Sequence, residues 1–333
     1  MNELMIAAGQ RIMSGFAGTK IDRGFINDVK RNKIGNFILF SNNIESAARL
    51  KTLCRELRDI AVSETGHMPL ISADQEGGRV QRLPKSVIDT PSAREIAQLG
   101  DEEKAFLTGK SIGEAMRELG LNYDLAPVMD VESVLGNPSI GSRSFGADAP
   151  TVARFGTAML RGMQAAGIMA CAKHFPGHGG TATDTHRTLP TIELSMEELE
   201  RGPLVPFYAA IKAGVMSIMT THIMFPALDN EYPGTLSSAV LGGLLRGKMQ
   251  YGGIIITDCL EMGAIASRYG AAEAALLAAK AGADMPLISH NNAEAARAAE
   301  LISRALERGE MDMGAHNEAL ARIAGAKKWL NMQ

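Results

Sequence analysis

Cysteine is scarce in this chain of 333 residues. Three occur, Cys54, Cys171 and Cys259, and they are odd in number and far apart in the sequence. Small secreted proteins that depend on disulfides carry dense, even sets of cysteines instead. We therefore expect reduced thiols and a reducing compartment.

Long apolar runs and an excess of basic residues are also missing. No stretch approaches the roughly 18 uninterrupted apolar residues of a membrane span. Lys and Arg number 34 against 37 Asp and Glu, a net charge of -3, whereas proteins that bind nucleic acid usually gather a basic excess on one face. The N-terminal segment carries Glu3 early and lacks the basic leader of a secretory signal. We expect a cytoplasmic protein that binds neither membranes nor nucleic acid.

Hydrophobic residues, by contrast, make up 46% of the chain and charged residues 21%, which is typical of a globular protein with a large core. Short apolar runs alternate with segments of helical spacing, and this alternation indicates repeated β-α units and a parallel sheet. The eight candidate strands are residues 11–16, 36–40, 70–74, 123–128, 169–173, 217–222, 253–258 and 284–289.

Helical spacing is clearest in two segments. One apolar face would be formed by Ala47, Leu50, Cys54, Leu57 and Ala61, and a second by Val152, Phe155, Met159 and Met163. Ser195 with Glu198 three residues later predicts a capping box at a helix start, and Ser237 precedes another predicted helix.

Eight β-α units without a linker or a change in composition predict one (β/α)8 barrel domain over residues 1–333. An open doubly wound sheet is the alternative. We expect an irregular first strand, because its apolar run is poorly defined. Pro286 lies inside the eighth candidate strand, where proline removes a donor from the hydrogen-bond ladder.

Polar residues gather where the candidate strands end, which is where the working residues of a barrel enzyme lie. These residues are Asp74, Gln75, Glu76, Asp130, Lys173, His174, His222 and Asp258. The richest segment, KHFPGHGGTATDTH at residues 173–186, carries three of the seven histidines in a glycine-rich loop. Its glycines allow sharp bends and loop movement.

This loop resembles the K-H-F-P-G-H-G-x4-D-[ST]-H signature of family 3 glycoside hydrolases, in their β-N-acetylhexosaminidase branch. Supporting blocks follow in the family's order: DQEGGRVQR at residues 74–82, APVMDV at 126–131, GSRSFG at 141–146, MTTH at 219–222 and TDCLEM at 257–262. The chain departs from the family at Gly180, where many members carry Asp.

The resemblance implies roles for individual residues. Asp258 matches the catalytic nucleophile, and His186, oriented by Asp184, matches the acid/base. The positions that match the sugar-binding residues are Asp74, Arg82, Arg143, Lys173 and His174. No metal ion or cofactor is expected. We expect His178 and His222 to orient loops, and Glu76 and Asp130 have no assigned role.

The implied catalytic set contains one carboxylate nucleophile and a His-Asp pair in place of a second carboxyl group. Retaining glycosidases usually pair two carboxyl groups about 5 Å apart. A His-Asp pair can replace the second carboxyl, because imidazole titrates near neutral pH and a neighbouring carboxylate fixes its tautomer. Lys173 and Arg143 would lower the pKa of Asp258 if they lie close to it.

We therefore expect a retaining enzyme that releases terminal N-acetyl-β-glucosamine from cell-wall muropeptides or chito-oligosaccharides, and that acts as a monomer in peptidoglycan recycling. Within the family, phosphorolysis is an alternative, since imidazole would not repel a phosphate dianion, and a β-glucosidase is another. Outside it stand a Schiff-base lyase using Lys173, a metal hydrolase using His174 and His178 with Asp184 or His186, and a glycan-binding protein without catalysis.

Overall fold

Parallel strands form the inner layer of the fold. The computed structural model describes residues 3–134, 136–181 and 188–333, and eight strands lie within this part of the chain. They are β1 (Met13–Ser14), β2 (Asn36–Ile38), β3 (Leu70–Ala73), β4 (Tyr123–Asp124), β5 (Cys171–Phe175), β6 (Ser217–Thr220), β7 (Ile254–Cys259) and β8 (Met285–Ile288).

The sheet closes on itself. Its strand order is β4-β3-β2-β1-β8-β7-β6-β5, and each neighbouring pair is parallel. Two further parallel bridges, Tyr123 with Met169 and Val128 with Lys173, connect the β4 end to the β5 end. The predicted (β/α)8 barrel is therefore confirmed, and the open doubly wound sheet is excluded.

Helices surround the barrel. They are α1 (Glu3–Arg11), α2 (Arg23–Asn32), α3 (Ala47–Thr65), α4 (Ala93–Gln98), α5 (Glu102–Glu118), α6 (Ala149–Ala165), α7 (Met196–Arg201), α8 (Leu204–Lys212), α9 (Gly263–Tyr269), α10 (Ala271–Ala281), α11 (Asn292–Glu307) and α12 (Met313–Asn331). A π-type helix spans Ala239–Lys248, and short 3-10 turns occupy Ser41–Asn43, Gly141–Arg143 and Gly234–Leu236.

The helical predictions agree with these elements. The α6 stripe is buried along its whole length, as is the α3 face from Leu50 onward. At α7 the capping box forms as predicted, with Ser195 accepting from the Glu198 amide and the Glu198 carboxylate accepting from the Ser195 amide. Ser237 accepts from the Val240 amide at the start of the π-type helix.

The first strand is shorter than its apolar run, and it pairs in parallel with β2 and β8 without a register shift. Arg11 was expected in that strand but ends α1 instead. Its buried guanidinium donates to the backbone oxygens of Ala283 and Asp284, which fixes α1 beneath β8. Pro286 does lie inside β8, where the Leu287 amide donates to the Thr257 hydroxyl.

Inside the barrel, side chains from all eight described strands form a separate core cluster, with Met13, Leu70, Met169 and Met219 among its members. Ile323 and Ala326 of α12 belong to the same cluster. Helix α12 therefore covers the N-terminal pole of the barrel, and the C-terminal pole is left for a site. No helix within the described part of the chain is long and apolar enough to cross a bilayer.

Candidate active site

A cavity of about 570 Å³ opens at the C-terminal pole of the barrel. Six of the predicted site residues line it: Asp74, Arg82, Arg143, Lys173, His174 and Asp258. They come from segments far apart in the sequence, and the barrel brings them to one place. Asp184 and His186, the predicted acid/base pair, lie outside the described residues.

Asp258 lies near the end of β7, partly exposed to the cavity, and accepts a 2.7 Å hydrogen bond from the Cys259 amide. Burial acts to raise the pKa of this carboxyl, and the imidazoles of His222 and His174 oppose burial most strongly. The Cys259 amide and the Lys173 ammonium add to their effect, so the pKa of Asp258 lies below its ordinary value. Asp258 is therefore ionised at neutral pH, as a nucleophile requires.

His222 is fully buried, and it contacts the residue that follows Asp258. Its Nε2 lies 2.9 Å from the Cys259 carbonyl oxygen, and its Nδ1 lies 2.9 Å from the Thr235 hydroxyl. Because a carbonyl oxygen can only accept, Nε2 carries the hydrogen. His222 thereby fixes the peptide group that directly follows Asp258.

Lys173 links two carboxylates in the floor of the cavity. Its Nζ lies 2.8 Å from Asp74 Oδ1 and 2.7 Å from Glu76 Oε1. Burial would lower the pKa of this ammonium, but the two carboxylates outweigh burial and raise it. Lys173 is therefore held protonated, which leaves it unsuited to the Schiff-base chemistry of a lyase. Arg82 donates to the other oxygen of Asp74 at 3.4 Å.

Arg143 faces Glu76 rather than Asp258. Its Nε and Nη2 each donate to one Glu76 oxygen at 2.7 Å, a bidentate pair. Although burial opposes ionisation, Arg143 and Lys173 hold the pKa of Glu76 far below its ordinary value. Arg143 is therefore not among the groups that act most on the pKa of Asp258, and Lys173, which is among them, acts on it less than the two imidazoles do.

Asp130 organises the start of the histidine-rich loop. Its fully buried carboxylate accepts from the His178 amide at 2.6 Å and from the His174 amide at 3.2 Å, and it lies 2.7 Å from His174 Nδ1. Burial raises the pKa of Asp130, but His174 outweighs it and the pKa stays low. An ionised Asp130 requires the hydrogen on His174 Nδ1, so His174 Nε2 is left to face a ligand. Burial lowers the pKa of His178 to about 4.

Glu76 and Asp130 are the residues to which the sequence assigned no role. Both hold a predicted sugar-binding side chain in place, Arg143 and His174 respectively. Their positions after candidate strands and inside family blocks could have marked both as site residues. Their partners could not be predicted, because Arg143 is 67 residues from Glu76 and His174 is 44 residues from Asp130. Only the closed barrel reveals these pairs.

The described residues contain no group of three or more His, Cys, Asp or Glu side chains arranged to hold a metal ion. The metal-hydrolase alternative also uses Asp184 or His186, which are not among them. The cavity is instead lined by charged hydrogen-bonding groups together with the ionised carboxylate of Asp258, which suits a polyhydroxylated ligand.

The family model described as "Glycosyl hydrolase family 3 N terminal domain" matches residues 5–326. The chain belongs to glycoside hydrolase family 3. It is 34% identical over 298 residues to a β-hexosaminidase of Pseudomonas aeruginosa (strain LESB58), covering 89% of this chain and 86% of that protein. It is also 33% identical over 322 residues to β-hexosaminidase A of Pseudoalteromonas piscicida, covering 90% of this chain and 54% of that protein.

Solved structures of the family share the fold. A family 3 β-N-acetylglucosaminidase from Paenibacillus sp. superposes with a TM-score of 0.97 at 39% identity, over 99% of this chain and 63% of that one. NagZ from Neisseria gonorrhoeae, in complex with N-trifluoroacetyl-D-glucosamine, gives 0.77 at 27% identity, over 95% and 98%. This chain thus spans about half of one relative and most of others, and the domain range 1–333 stays a prediction.

Proposed function

We propose that this family 3 chain is a retaining β-N-acetylhexosaminidase that hydrolyses terminal, non-reducing N-acetyl-β-glucosamine. The observation that carries the proposal is the ionised carboxylate of Asp258, which lines one cavity together with Asp74, Arg82, Lys173 and His174. Relatives named β-hexosaminidase and β-N-acetylglucosaminidase support the same activity.

In the first step, a carboxylate oxygen of Asp258 bonds to the anomeric carbon while the glycosidic C–O bond breaks. The departing oxygen takes a proton from His186, which Asp184 orients. In the second step, water attacks the anomeric carbon, its proton passes to His186, and the bond to Asp258 breaks. The product keeps the β configuration.

The charged groups that line the cavity with Asp258 bind the sugar ring. Asp74 is held by Lys173 and Arg82, so its oxygens have fixed directions from which to accept hydroxyl hydrogens. His174 presents Nε2 from a ring fixed by Asp130. Fixed partners of this kind reduce the entropy lost on binding.

The natural substrates that we propose are cell-wall muropeptides or chito-oligosaccharides. A ligand related to N-acetylglucosamine occupies the Neisseria gonorrhoeae structure, which supports this choice of sugar. We further propose that the enzyme acts in the cytoplasm, as a monomer, in peptidoglycan recycling. The proposed location rests on the composition and on the scarcity of cysteine.

The deciding experiment compares an aryl N-acetyl-β-glucosaminide with an aryl β-glucoside. We expect turnover of the first alone, and a loss of about 10⁴-fold or more in kcat for Asp258→Ala. His186→Ala should impair a substrate with a poor leaving group more than one with a good leaving group. Asp59→Ala, an exposed change on α3, serves as the control.

Full activity of Asp258→Ala would reject the mechanism, and faster turnover of the glucoside would favour the β-glucosidase. Phosphorolysis is distinguished by product analysis in phosphate buffer, because it alone yields a sugar 1-phosphate. A histidine acid/base carries no negative charge to repel phosphate, which is the reason to run this assay.

A further inference from the structure

A second cavity, of about 210 Å³, lies at the opposite pole of the barrel. Its walls include Pro69 and Asn122, which directly precede β3 and β4, and Leu330 of α12. In parallel strands these positions mark the N-terminal ends, so the cavity is separated from Asp258 by the length of the barrel. It takes no part in the site described above.

Three cationic residues from three helices line this cavity. Arg58 comes from α3, Arg117 from the last turn of α5, and Lys327 from α12. None of the described residues that line the cavity is acidic. The cavity is therefore positively charged on every helical wall.

Lys327 is the most unusual of the three, because it is 8% exposed. Its Nζ donates to Gln10 Oε1 at 3.0 Å and to the Gly35 carbonyl oxygen at 3.3 Å, both neutral acceptors. Burial lowers the pKa of this ammonium to about 7, and no carboxylate offsets the shift. A buried charge without a counter-charge is costly, and an ammonium has three hydrogens to donate.

The arginines complete the arrangement. Arg117 donates to the backbone oxygens of Ala166 and Gln333, at 3.3 and 2.6 Å, which uses two of its five N–H groups. Arg58 is exposed at the rim. Guanidinium groups bind oxyanions through paired N–H donors, and they keep their charge at all ordinary pH values.

We propose that this cavity binds a small tetrahedral dianion, either inorganic phosphate or the phosphate group of a small monoester. Such an ion supplies the missing counter-charge of Lys327 and accepts hydrogens from three directions. The cavity also has room for a small organic group beside the phosphate. A bound anion would join α12 to α3 and α5, so it would stabilise the folded chain.

The test is anion-dependent stabilisation of the purified chain. Thermal unfolding and titration calorimetry are followed with phosphate, with glycerol phosphate, and with potassium chloride at matched ionic strength. We expect a saturable rise in Tm with either phosphate compound and none with chloride. The tighter of the two compounds identifies the source of the phosphate group.

Variants assign the effect to this cavity. We expect Lys327→Met to abolish the stabilisation and Arg58→Gln to weaken binding about tenfold, which corresponds to about 1.4 kcal/mol. Lys328→Met, the exposed neighbour on α12, is the matched control and should bind as the wild type does. Arg58→Gln changes an exposed side chain, so it remains informative if Lys327→Met does not fold.

Equal stabilisation by phosphate and chloride, or undiminished binding by both Lys327→Met and Arg58→Gln, would overturn the proposal. Binding that survives these variants and is lost in Arg82→Gln would place the anion in the catalytic cavity instead, because Arg82 is a cation that lines that cavity. The outcome does not depend on the proposed hydrolase activity, because the readouts are heat and Tm.

Discussion

At the scale of single residues, the pKa of Asp258 is set by groups that come from other parts of the chain. Asp258 stood out because an acidic side chain ends a strongly apolar strand. The imidazole of His222 does most to offset the rise in pKa that burial causes at this carboxyl. His222 lies 36 residues earlier in the sequence, in the loop that follows β6. His222 lies close to Asp258 because β6 and β7 are neighbours in the barrel. The periodicity of the sequence does not predict which strands are neighbours.

His222 makes two contributions, a hydrogen bond to the Cys259 carbonyl and a lowering of the pKa of Asp258. Two measurements on one variant separate them. His222→Ala removes the hydrogen bond to the Cys259 carbonyl and the imidazole beside Asp258, so we expect kcat to fall about 10- to 100-fold. The pKa of Asp258 should rise towards its ordinary value, which moves the acid limb of kcat/KM to higher pH. His67→Gln, an exposed change, should alter neither. A fall in kcat with an unmoved acid limb would contradict the electrostatic role.

Asp124 gives a second prediction at this scale, about stability. Its carboxyl is fully buried, and burial raises its pKa well above the ordinary value although Oδ1 accepts from the Gln75 amide. The folded chain therefore keeps a proton that the unfolded chain releases above about pH 4, and stability falls as pH rises from there. Asp124→Asn removes this loss, so its stability relative to the wild type should be higher at pH 8 than at pH 5.

Urea denaturation at the two pH values measures that difference. Glu114→Gln, an exposed carboxyl on α5, should show a much smaller change between them. A relative stability of Asp124→Asn that declines from pH 5 to pH 8 would mean that Asp124 is ionised in the folded chain.

At the scale of elements, the helices were predicted better than the strand ends. The apolar face of a helix is a local property, and the buried stripe of α6 matches its sequence pattern. A strand ends where its ladder partner ends, which is a property of two segments. The run 123–128 predicts a long fourth strand, yet β4 covers Tyr123–Asp124. Beyond it the chain makes one backbone hydrogen bond to β3, from the Leu125 amide, and three with β5.

The interface between α5 and α6 also depends on positions that sequence alone does not explain. A Cβ added at Gly162 would lie 2.0 Å from the Phe106 backbone oxygen. Gly162→Ala must therefore push the two helices apart, and we expect a loss of about 1–3 kcal/mol in the free energy of unfolding. Gly325→Ala on α12 has open space around it and should gain about 0.5–1 kcal/mol from helix propensity. Urea denaturation of both variants checks the contrast, and equal stabilities would show that α5 and α6 separate without cost.

At the scale of the whole molecule, each pole of the barrel carries an aspartate that is paired with two cationic side chains. Near the C-terminal pole, Asp74 binds Lys173 and Arg82 beside the catalytic cavity. At the N-terminal end of β8, Asp284 binds Arg246 and Arg322 and accepts from the Ile255 amide. Asp284 is fully buried, whereas Asp74 reaches the cavity. Barrels place chemistry at the first pole and stability at the second.

The same substitution at the two poles should therefore have opposite consequences. Asp284→Asn leaves two arginine side chains without their carboxylate, and breaking a buried ion pair costs about 3–5 kcal/mol. Because Asp284 is remote from the cavity, kcat/KM of the folded variant should stay within about twofold of the wild type. Asp74→Asn should lower kcat/KM about a hundredfold, because an amide accepts hydrogen bonds from the sugar hydroxyls more weakly than a carboxylate does. It should lower the free energy of unfolding less than Asp284→Asn does. Urea denaturation and hydrolysis of aryl N-acetyl-β-glucosaminide measure the two effects in parallel, and a loss of kcat/KM in folded Asp284→Asn equal to that in Asp74→Asn would show that the poles are coupled.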